Sequence, residues 1–325
     1  MLKVTFQDVL IAANRLKGRI NHTPLIYSDL LSIETGAQVY IKMESLQKTG
    51  SFKARGALNK IDSLTPEELK KGVVTASAGN HAQAVAYASR LKGISAEIVV
   101  PTTTPQTKLD GIKRHGGELV LYGYIYDEAE EHAIQLAEET GRVFINAFED
   151  DLVIAGQGTA ALEAFLEIPD FDVLLVPAGG GGLLCGVALV AKAINPNIKV
   201  IGIQTHASPP WYYSFKAGKL VDVEYSSSYA EGLHGGITEG NLNLAQGIVD
   251  DIVLVEEEDV AKAMYYMAKN DHNMLEGSAV VGIAALQQGL IPNIEGKKVL
   301  TFATGGNVDL GRIAEFYNRF ENGGH

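Results

Sequence analysis

Residues 173–191 read VLLVPAGGGGLLCGVALVA, beginning at Val173 and ending at Ala191. The segment starts as a short run of apolar residues, turns at four consecutive glycines, and continues as an apolar helical pattern. Its 19 uncharged residues would be long enough to cross a membrane. Pro177 and the glycines in its middle, however, would leave backbone N–H and C=O groups unpaired in lipid. The segment is therefore interpreted as a buried strand, a glycine loop and a buried helix.

The same alternation of short apolar runs and longer helical patterns extends along the rest of the chain. The predicted strands are 39–42, 73–75, 97–100, 119–122, 143–146, 173–176, 200–204, 252–255 and 299–302. The predicted helices are 6–17, 52–61, 80–92, 105–115, 127–139, 154–167, 183–194, 258–269, 278–288 and 310–320. The strands are apolar throughout, as strands covered by helices on both faces are. Their alternation with helices predicts an α/β fold with mostly parallel sheets.

The charge balance restricts the class of partner. Lys and Arg number 27 against 39 Asp and Glu, so the formal net charge is −12. An acidic surface disfavours broad binding to nucleic acid or to an anionic membrane. It leaves room for a local basic pocket that takes a small phosphorylated ligand. We therefore expect a small-molecule substrate, with neither nucleic acid nor a membrane as partner.

The cysteine content and the N-terminus bear on the compartment. A single cysteine, Cys185, excludes an intrachain disulfide and a cysteine-based zinc site. This usage fits a reducing compartment, and the expected location is cytoplasmic. Asp8 and Asn14 interrupt the first apolar residues, and no small-residue cleavage site follows, so no signal peptide is predicted. At roughly 150 residues per domain, 325 residues suggest two domains.

One polar and aperiodic segment, residues 208–243, contains the only tryptophan and several tyrosines. Long irregular inserts in compact domains are often binding surfaces or interfaces. An ordinary surface excursion explains this composition equally well, so both interpretations stay open.

Glycine-containing turns follow three of the predicted strands, at residues 76–80, 179–182 and 304–307. Each turn opens a helix, which places free N–H groups at the edge of the sheet where ligands of open parallel sheets bind. Any one turn could be only a tight connection. Three together favour a ligand with a phosphate or carboxylate. The four consecutive glycines are the best phosphate candidate, because the backbone can approach closely there; neither a dinucleotide fingerprint nor a nucleotide P-loop occurs.

Lys53 lies in the motif KTGSFKARGA, residues 48–57, at the predicted start of a helix. A helix N-terminus and partial burial both lower a lysine pKa and favour the neutral amine. The neutral amine is the form that attacks an aldehyde. On position alone, a plain surface lysine is an equal alternative.

Four motifs in this order, KTGSFKARGA, SAGNHAQ, PAGGGGLLCG and TGGNVDL, resemble the pyridoxal-phosphate enzymes of fold type II. The chain is most similar to the threonine/serine dehydratase and serine racemase group, over residues 23–310. The resemblance implies two open, twisted, mostly parallel sheets flanked by helices, as in tryptophan synthase β-like folds. It also implies a large pyridoxal-phosphate-binding domain of residues 1–67 and 147–325 and a small domain of residues 68–146, with the cofactor between them.

The resemblance further implies roles for single residues. Lys53 forms a Schiff base with pyridoxal 5′-phosphate, Phe52 packs beside the ring, and Asn80 hydrogen-bonds the ring hydroxyl. Thr304 replaces the more usual serine and faces the pyridine nitrogen, and Glu276 lies near the ring. The phosphate loop is Gly179, Gly180, Gly181 and Gly182, and the turn that receives the substrate carboxylate is Ser77, Ala78, Gly79, Asn80 and His81.

The implied reaction is elimination of the β-hydroxyl of L-threonine or L-serine, which yields a 2-oxo acid and ammonia. Lys53 removes the α-proton. A neutral hydroxyl at Thr304 leaves the ring a weaker electron sink than a carboxylate would, which favours prompt elimination over transamination. Ala78 stands where racemases of the family have a serine, so we expect little racemisation and a strong preference for the L-enantiomer.

Other positions depart from the family. Gln204 and Pro210 stand where racemase-type members have the carboxylates of a divalent-cation site, so no metal is predicted. Residues 231–236 differ from the commonest dehydratase pattern and leave the preferred hydroxy amino acid open. The chain stops soon after Leu310, so neither a C-terminal regulatory domain nor feedback by isoleucine is expected. The family suggests a homodimer or a homotetramer.

Two other functions stay open beside the lyase. One is an amino-acid racemase, for example a serine racemase, on the same scaffold. The other is a non-catalytic protein that binds a phosphorylated ligand and has kept the fold. If the protein is yellow and its visible absorption band changes when serine or threonine is added, the non-catalytic alternative is excluded.

Overall fold

Two β-sheets organise the chain in the computed structural model, which describes residues 2–322. The strands are β1 (Leu25–Tyr27), β2 (Gln38–Lys42), β3 (Val73–Ala76), β4 (Ala96–Val100), β5 (Glu118–Leu121), β6 (Val143–Phe144), β7 (Val173–Pro177), β8 (Lys199–Thr205), β9 (Asp251–Val255) and β10 (Lys298–Phe302). The larger sheet has the order β1-β2-β10-β7-β8-β9, and the smaller has the order β5-β4-β3-β6.

Nearly all strand pairs are parallel, as the sequence predicts. Among the strands in residues 2–322, only β1 pairs antiparallel with its neighbour, β2, through Leu25 opposite Lys42. The last strand in sequence, β10, lies between β2 and β7 and is parallel to both. The prediction of an α/β fold with two mostly parallel sheets is therefore confirmed.

Helices cover the sheets. They are α1 (Phe6–Leu16), α2 (Asp29–Thr35), α3 (Lys53–Asp62), α4 (Pro66–Lys71), α5 (Asn80–Lys92), α6 (Gln106–Arg114), α7 (Tyr126–Thr140), α8 (Asp151–Glu167), α9 (Gly182–Ile194), α10 (Pro210–Ala217), α11 (Glu239–Gln246), α12 (Glu257–Asn270), α13 (Gly277–Gln287) and α14 (Leu310–Glu321). All five residues of β7 are buried because helices pack on both faces of the larger sheet. Among the described residues, no helix is both long and apolar enough to span a membrane.

Small residues let the helices that carry the site approach closely. Helix α3 crosses α8 at Gly56 and Gly156, where a Cβ on Gly156 would lie 2.7 Å from the Cα of Gly56. Helix α9 meets α8 at Gly186, where a Cβ would lie 2.5 Å from the carbonyl oxygen of Ile154. Such separations exclude any side chain, so the glycines fix the spacing of the three helices.

The structure contains several short helices and one short strand that the sequence prediction lacks. Every predicted strand and helix overlaps an observed one, but β1, α2, α4, α10 and α11 have no counterpart among the predicted ranges. The segment 208–243 is not irregular throughout, because it opens with α10. Two prolines hide that helix in the sequence, although Pro210 stands at its first position, where proline is tolerated.

The proposed domain boundaries stay a prediction. The strands of the smaller sheet all fall between residues 73 and 144. The hydrophobic cluster on that sheet also includes Leu16 of α1 and Ala57, Leu58 and Ile61 of α3. The first helices of the chain therefore contribute to the packing of the smaller sheet.

Candidate active site

A cavity of about 910 Å³ lies where the carboxyl ends of β3, β7 and β10 face one another. Every residue that the sequence analysis assigns to the cofactor or the substrate lines it. These residues are Phe52, Lys53, Ser77, Ala78, Gly79, Asn80, His81, Gly179, Gly180, Gly181, Gly182, Thr304 and Glu276. The structure therefore brings together groups from five separate parts of the chain, at residues 52–53, 77–81, 179–182, 276 and 304.

Lys53 is the first residue of α3, and its Nζ donates a hydrogen bond to the carbonyl of Ala147 at 3.0 Å. Burial lowers the pKa of this amine to about 8, although the carboxyl group of Glu276 opposes the shift. The ring of Phe52 lies 5.3 Å from the ammonium nitrogen. Lys53 is thus a cavity residue, and the alternative of a plain surface lysine is excluded.

A largely buried ion-pair cluster anchors α3 two residues beyond Lys53. Arg55 pairs with Glu44 at 2.7 Å and with Glu163 at 2.7 Å, and Lys42 pairs with Glu163 at 2.8 Å. Burial alone would lower the pKa of Arg55. The carboxylates of Glu44 and Glu163 raise the pKa by more than burial lowers it, so the guanidinium stays charged. The cluster joins α3 to α8 and to the end of β2. Sequence reasoning missed it, because a buried arginine carries no local signal.

Backbone contacts join the start of α3 to the loop after β10. The N–H of Phe52 donates to the carbonyl of Thr304 at 3.0 Å, and the N–H of Gly306 donates to the carbonyl of Gly50 at 2.9 Å. Thr304 Oγ1 is buried and has no hydrogen-bond partner among the described residues. A buried hydroxyl without a partner is uncommon, and here it borders the cavity.

The glycine loop lies between β7 and α9 and is tightly enclosed by neighbouring side chains. Gly181 has φ of 110°, a conformation that disfavours any residue with a side chain. A Cβ on Gly180 would lie 2.3 Å from the ring of Phe148. Within residues 2–322, none of the four N–H groups of Gly179 through Gly182 donates to a protein carbonyl. The loop thus offers several free donors to the cavity.

The turn between β3 and α5 is open. Its Gly79 precedes the first residue of α5, and no heavy atom lies within 4 Å of the place where a Cβ would stand. Ser77 Oγ accepts a hydrogen bond from the N–H of Gly79 at 3.2 Å. His81 is buried, and its Nε2 lies 3.0 Å from the carbonyl of Ile145. Burial and the nearby Lys53 lower the pKa of His81 to about 3, so this ring is neutral at pH 7.

A chain of polar side chains links this turn to the loop after β10. Asn80 Nδ2 donates to Glu276 Oε1 at 2.7 Å, and Asn307 Nδ2 donates to Asn80 Oδ1 at 2.7 Å. Burial raises the pKa of Glu276 to about 7, and the hydrogen bond from Asn80 opposes this shift. Asn80 and Glu276, 196 positions apart in the sequence, therefore meet at the cavity.

The segment 208–243 contributes part of the cavity wall. Its 3-10 turn, Glu231–Leu233, lies at the cavity mouth, and Glu231 forms an ion pair of 2.7 Å with Lys108 of α6. This contact joins the larger-sheet side of the mouth to the smaller-sheet side. Of the two interpretations of the segment, the geometry favours a binding surface.

Comparison with known proteins matches residues 16–305 to the family model described as pyridoxal-phosphate dependent enzyme. The chain belongs to this family. It is 43% identical to an L-threonine ammonia-lyase of Thermotoga maritima, over 97% of this chain and 79% of that protein. It is 37% identical to the catabolic L-threonine dehydratase TdcB of Escherichia coli K12, over 97% of this chain and 96% of that protein.

Solved structures of the family have the same fold. A maize serine racemase superposes with a TM-score of 0.92 at 33% identity and covers 99% of both chains. A threonine deaminase of Solanum lycopersicum superposes with a TM-score of 0.91 at 36% identity, over 98% of this chain and 90% of that one. The pyridoxal-phosphate enzyme described here therefore has the fold type II architecture expected from its motifs.

The residues of the cavity fit pyridoxal phosphate. A primary amine with a lowered pKa is available at Lys53. The glycine loop presents N–H groups without acceptors, and Thr304 presents a hydroxyl without a partner. Together they match the aldehyde, the phosphate and the ring nitrogen of the cofactor in chemical type. Among the described residues, no group of three or more His, Cys, Asp or Glu could hold a metal ion.

Proposed function

We propose that this enzyme is an ammonia-lyase that converts L-threonine or L-serine to a 2-oxo acid and ammonia. The observation that carries the proposal is the placement of the Lys53 amine in one cavity with the glycine loop and the turn from Ser77 to His81. Relatives named as L-threonine ammonia-lyase and L-threonine dehydratase support the substrate class.

Residues from both sheets would hold the cofactor. Lys53 would attach it through the amine, the N–H groups of the glycine loop would bind its phosphate, and Phe52 would pack beside its ring. Asn80 and Thr304 would contact the ring hydroxyl and the ring nitrogen. When bound, pyridoxal phosphate supplies a conjugated ring that withdraws electrons from the α-carbon of the substrate.

The turn from Ser77 to His81 would bind the substrate carboxylate. It ends at the N-terminus of α5, where backbone N–H groups are free and the helix dipole favours an anion. His81 adds no positive charge, because its pKa is lowered to about 3. The carboxylate would therefore be held mainly by backbone donors.

Lys53 would act as the base once the amine of the substrate has displaced it from the cofactor. Its neutral amine takes the α-proton, and the β-hydroxyl leaves as water after it gains a proton. The unsaturated product takes up one water and releases ammonia. The net change is a hydroxy amino acid to a 2-oxo acid and ammonia, with no oxidant or reductant consumed.

Racemisation is the second candidate activity, and the likeness to a solved serine racemase favours it. Inversion at the α-carbon needs an acid or base on the face opposite Lys53. Ala78 occupies the corresponding place in the turn and has only a methyl group. Elimination is for this reason the main reaction of the proposal.

The cellular setting forms part of the same proposal. We place the enzyme in the cytoplasm as a homodimer or homotetramer that acts on a free amino acid and has no nucleic acid partner. The single cysteine, which is buried, fits a reducing compartment. The net charge of −12 disfavours nucleic acid.

A substrate panel tests the proposal. Release of 2-oxo acid should be measured for L-threonine, L-serine and L-threo-3-hydroxyaspartate, with D-serine as the stereochemical control. The Lys53→Ala variant should lose activity by at least about 10²–10⁴-fold, the usual contribution of a positioned base. Absence of 2-oxo acid from all three L-substrates, in a protein that carries the cofactor, would refute the lyase.

A further inference from the structure

Two buried side chains hold the outer face of the glycine loop. Trp211 Nε1 donates a hydrogen bond to the carbonyl of Gly179 at 2.5 Å. Asn241 Nδ2 donates to the carbonyl of Gly180 at 2.8 Å and to that of Phe148 at 3.2 Å. Both Trp211 and Asn241 are completely buried. Two successive carbonyls of the loop therefore have fixed partners on the side away from the cavity.

Because the peptide bond is planar, these hydrogen bonds to the carbonyls also fix the direction of the loop N–H groups. In a trans peptide, the C=O of one residue and the N–H of the next lie in one plane and point in opposite directions. The carbonyls of Gly179 and Gly180 point to Trp211 and Asn241. The N–H groups of Gly180 and Gly181 consequently point the other way, and in residues 2–322 they have no protein acceptor.

Trp211 is itself held by a neighbouring strand. Gln204, fully buried in β8, accepts hydrogen bonds through Oε1 from the N–H of Trp211 at 2.9 Å and from that of Tyr212 at 3.3 Å. These are N–H groups at the start of α10, which no residue of the helix can satisfy. A Cβ on Gly181 would lie 2.7 Å from Cζ2 of the indole, so ring and loop are in direct contact.

We propose that Trp211 and Asn241 are positioning residues that turn the N–H groups of the glycine loop toward the phosphate of pyridoxal phosphate. This inference rests on the proposed role of the loop as the phosphate site. Without either donor, a buried carbonyl loses its partner, and its peptide plane is free to rotate. The loop would then present fewer aligned donors to the phosphate.

Paired measurements with pyridoxal phosphate and pyridoxal test the proposal. Pyridoxal lacks the phosphate but keeps the aldehyde and ring. Dissociation constants of the apoprotein for both ligands would be measured by equilibrium dialysis for wild type, Trp211→Phe and Asn241→Leu. Each variant should raise the dissociation constant for pyridoxal phosphate by about two- to tenfold, which is the range of one hydrogen bond. The dissociation constant for pyridoxal should change by less than about twofold.

Ser214→Ala is the matched control. Ser214 is buried in the same helix as Trp211, and its Oγ accepts a hydrogen bond from the N–H of Val221 at 3.0 Å, away from the loop. This variant should leave the ratio of the two dissociation constants unchanged. The two test variants remove different donors, so each keeps the test valid if the other does not fold.

The outcomes separate the inference from the function on which it rests. If the test variants lose affinity for both ligands equally, Trp211 and Asn241 have a general structural role and the inference is overturned. An unchanged ratio in folded variants would do the same while leaving the loop as the phosphate site. If the wild-type protein binds pyridoxal as tightly as pyridoxal phosphate, both the inference and the proposed phosphate site are wrong.

Discussion

Two β–α turns face the same cavity and are built in opposite ways. The glycine loop after β7 is tightly packed, and a Cβ on Gly180 would lie 2.3 Å from Phe148. The turn after β3 has open space beside Gly79, with no heavy atom within 4 Å of a Cβ there. Both turns contain glycine after a strand and before a helix, so the sequence makes them look alike.

The difference indicates why glycine is present in each turn. In the loop after β7, glycine is required by the surrounding protein, which leaves no room for a side chain and fixes the backbone. In the turn after β3, glycine keeps space free on the cavity side. A fixed loop suits a cofactor that stays bound through every turnover, and an open turn suits a substrate that enters and leaves.

An added methyl group should distinguish the two turns most strongly. Gly180→Ala must displace the ring of Phe148 or the loop backbone. Overpacking of this kind costs about 1–3 kcal/mol of folding stability. Because the displaced backbone carries the phosphate donors, we expect a loss of the same order in cofactor binding, which is about 5- to 150-fold. Gly79→Ala meets no protein atom and should keep cofactor affinity within about twofold while raising KM.

Cofactor titration and steady-state kinetics of both variants provide the check. The Gly79→Ala protein serves as the control for the methyl group itself. Comparable loss of cofactor in the two variants would break the contrast between the packed and the open turn.

The second prediction uses pH to distinguish the contribution of the Lys53 amine from that of the two turns. The amine is protonated below its pKa and neutral above it, and only the neutral form attacks the aldehyde. Since the pKa of Lys53 is lowered to about 8, the rate of cofactor association should rise about tenfold per pH unit up to about pH 8 and then level off. Stopped-flow absorbance measures this rate.

Pyridoxal should follow the same pH profile, because the titrating group is the lysine and not the phosphate loop. A plateau reached only near pH 10 would show that Lys53 keeps an ordinary lysine pKa.

The third prediction concerns the larger-sheet side of the cavity. Thr304→Asp places a carboxylate at a buried position where the native hydroxyl has no partner. The negative charge of the carboxylate should keep the ring nitrogen protonated and so strengthen the electron sink. Elimination should slow by about tenfold, a barrier change of about 1.4 kcal/mol, with some transamination to the pyridoxamine form. Absorbance and product analysis measure the partition, and an unchanged product ratio with cofactor bound would contradict it.

The smallest expected effect lies in the open turn. Ala78→Ser adds a hydroxyl that can exchange a proton at the face opposite Lys53. Racemisation should become measurable but stay slower than elimination. L-serine incubated in D₂O and analysed on a chiral column would give deuterated D-serine from the variant and little from wild type. Rapid formation of D-serine by the unmutated protein would favour the racemase.

The strands and the site motifs were predictable because their signals are local. Short apolar runs predict β7 and β10, and the motifs around Lys53 and the glycine loop are contiguous in sequence. β1 has only three residues, two of them exposed, so it leaves no apolar run to detect. The capping of α10 depends on Gln204, which lies in a different element from the helix.

The contacts that orient the site could not be predicted, because they join residues far apart in sequence. Asn241 meets Gly180 across 61 positions, and Arg55 meets Glu163 across 108. Neither pair has a fixed spacing or a characteristic neighbour. The sequence identifies which groups act on the ligand, and the tertiary structure shows which groups hold them in place.

The central position of β10 has a consequence for how the enzyme is made. The two neighbours of β10, β2 and β7, come earlier in the chain, and the edge by which each pairs with β10 stays unpaired until β10 enters between them. On the ribosome, the chain therefore carries two unpaired strand edges until residues 298–302 emerge. Such edges bind other strands and aggregate. Cofactor supplied during synthesis should not stabilise the chain before this point, because its binding site is not yet complete. The folding steps that follow the synthesis of β10 should therefore determine the yield of folded enzyme.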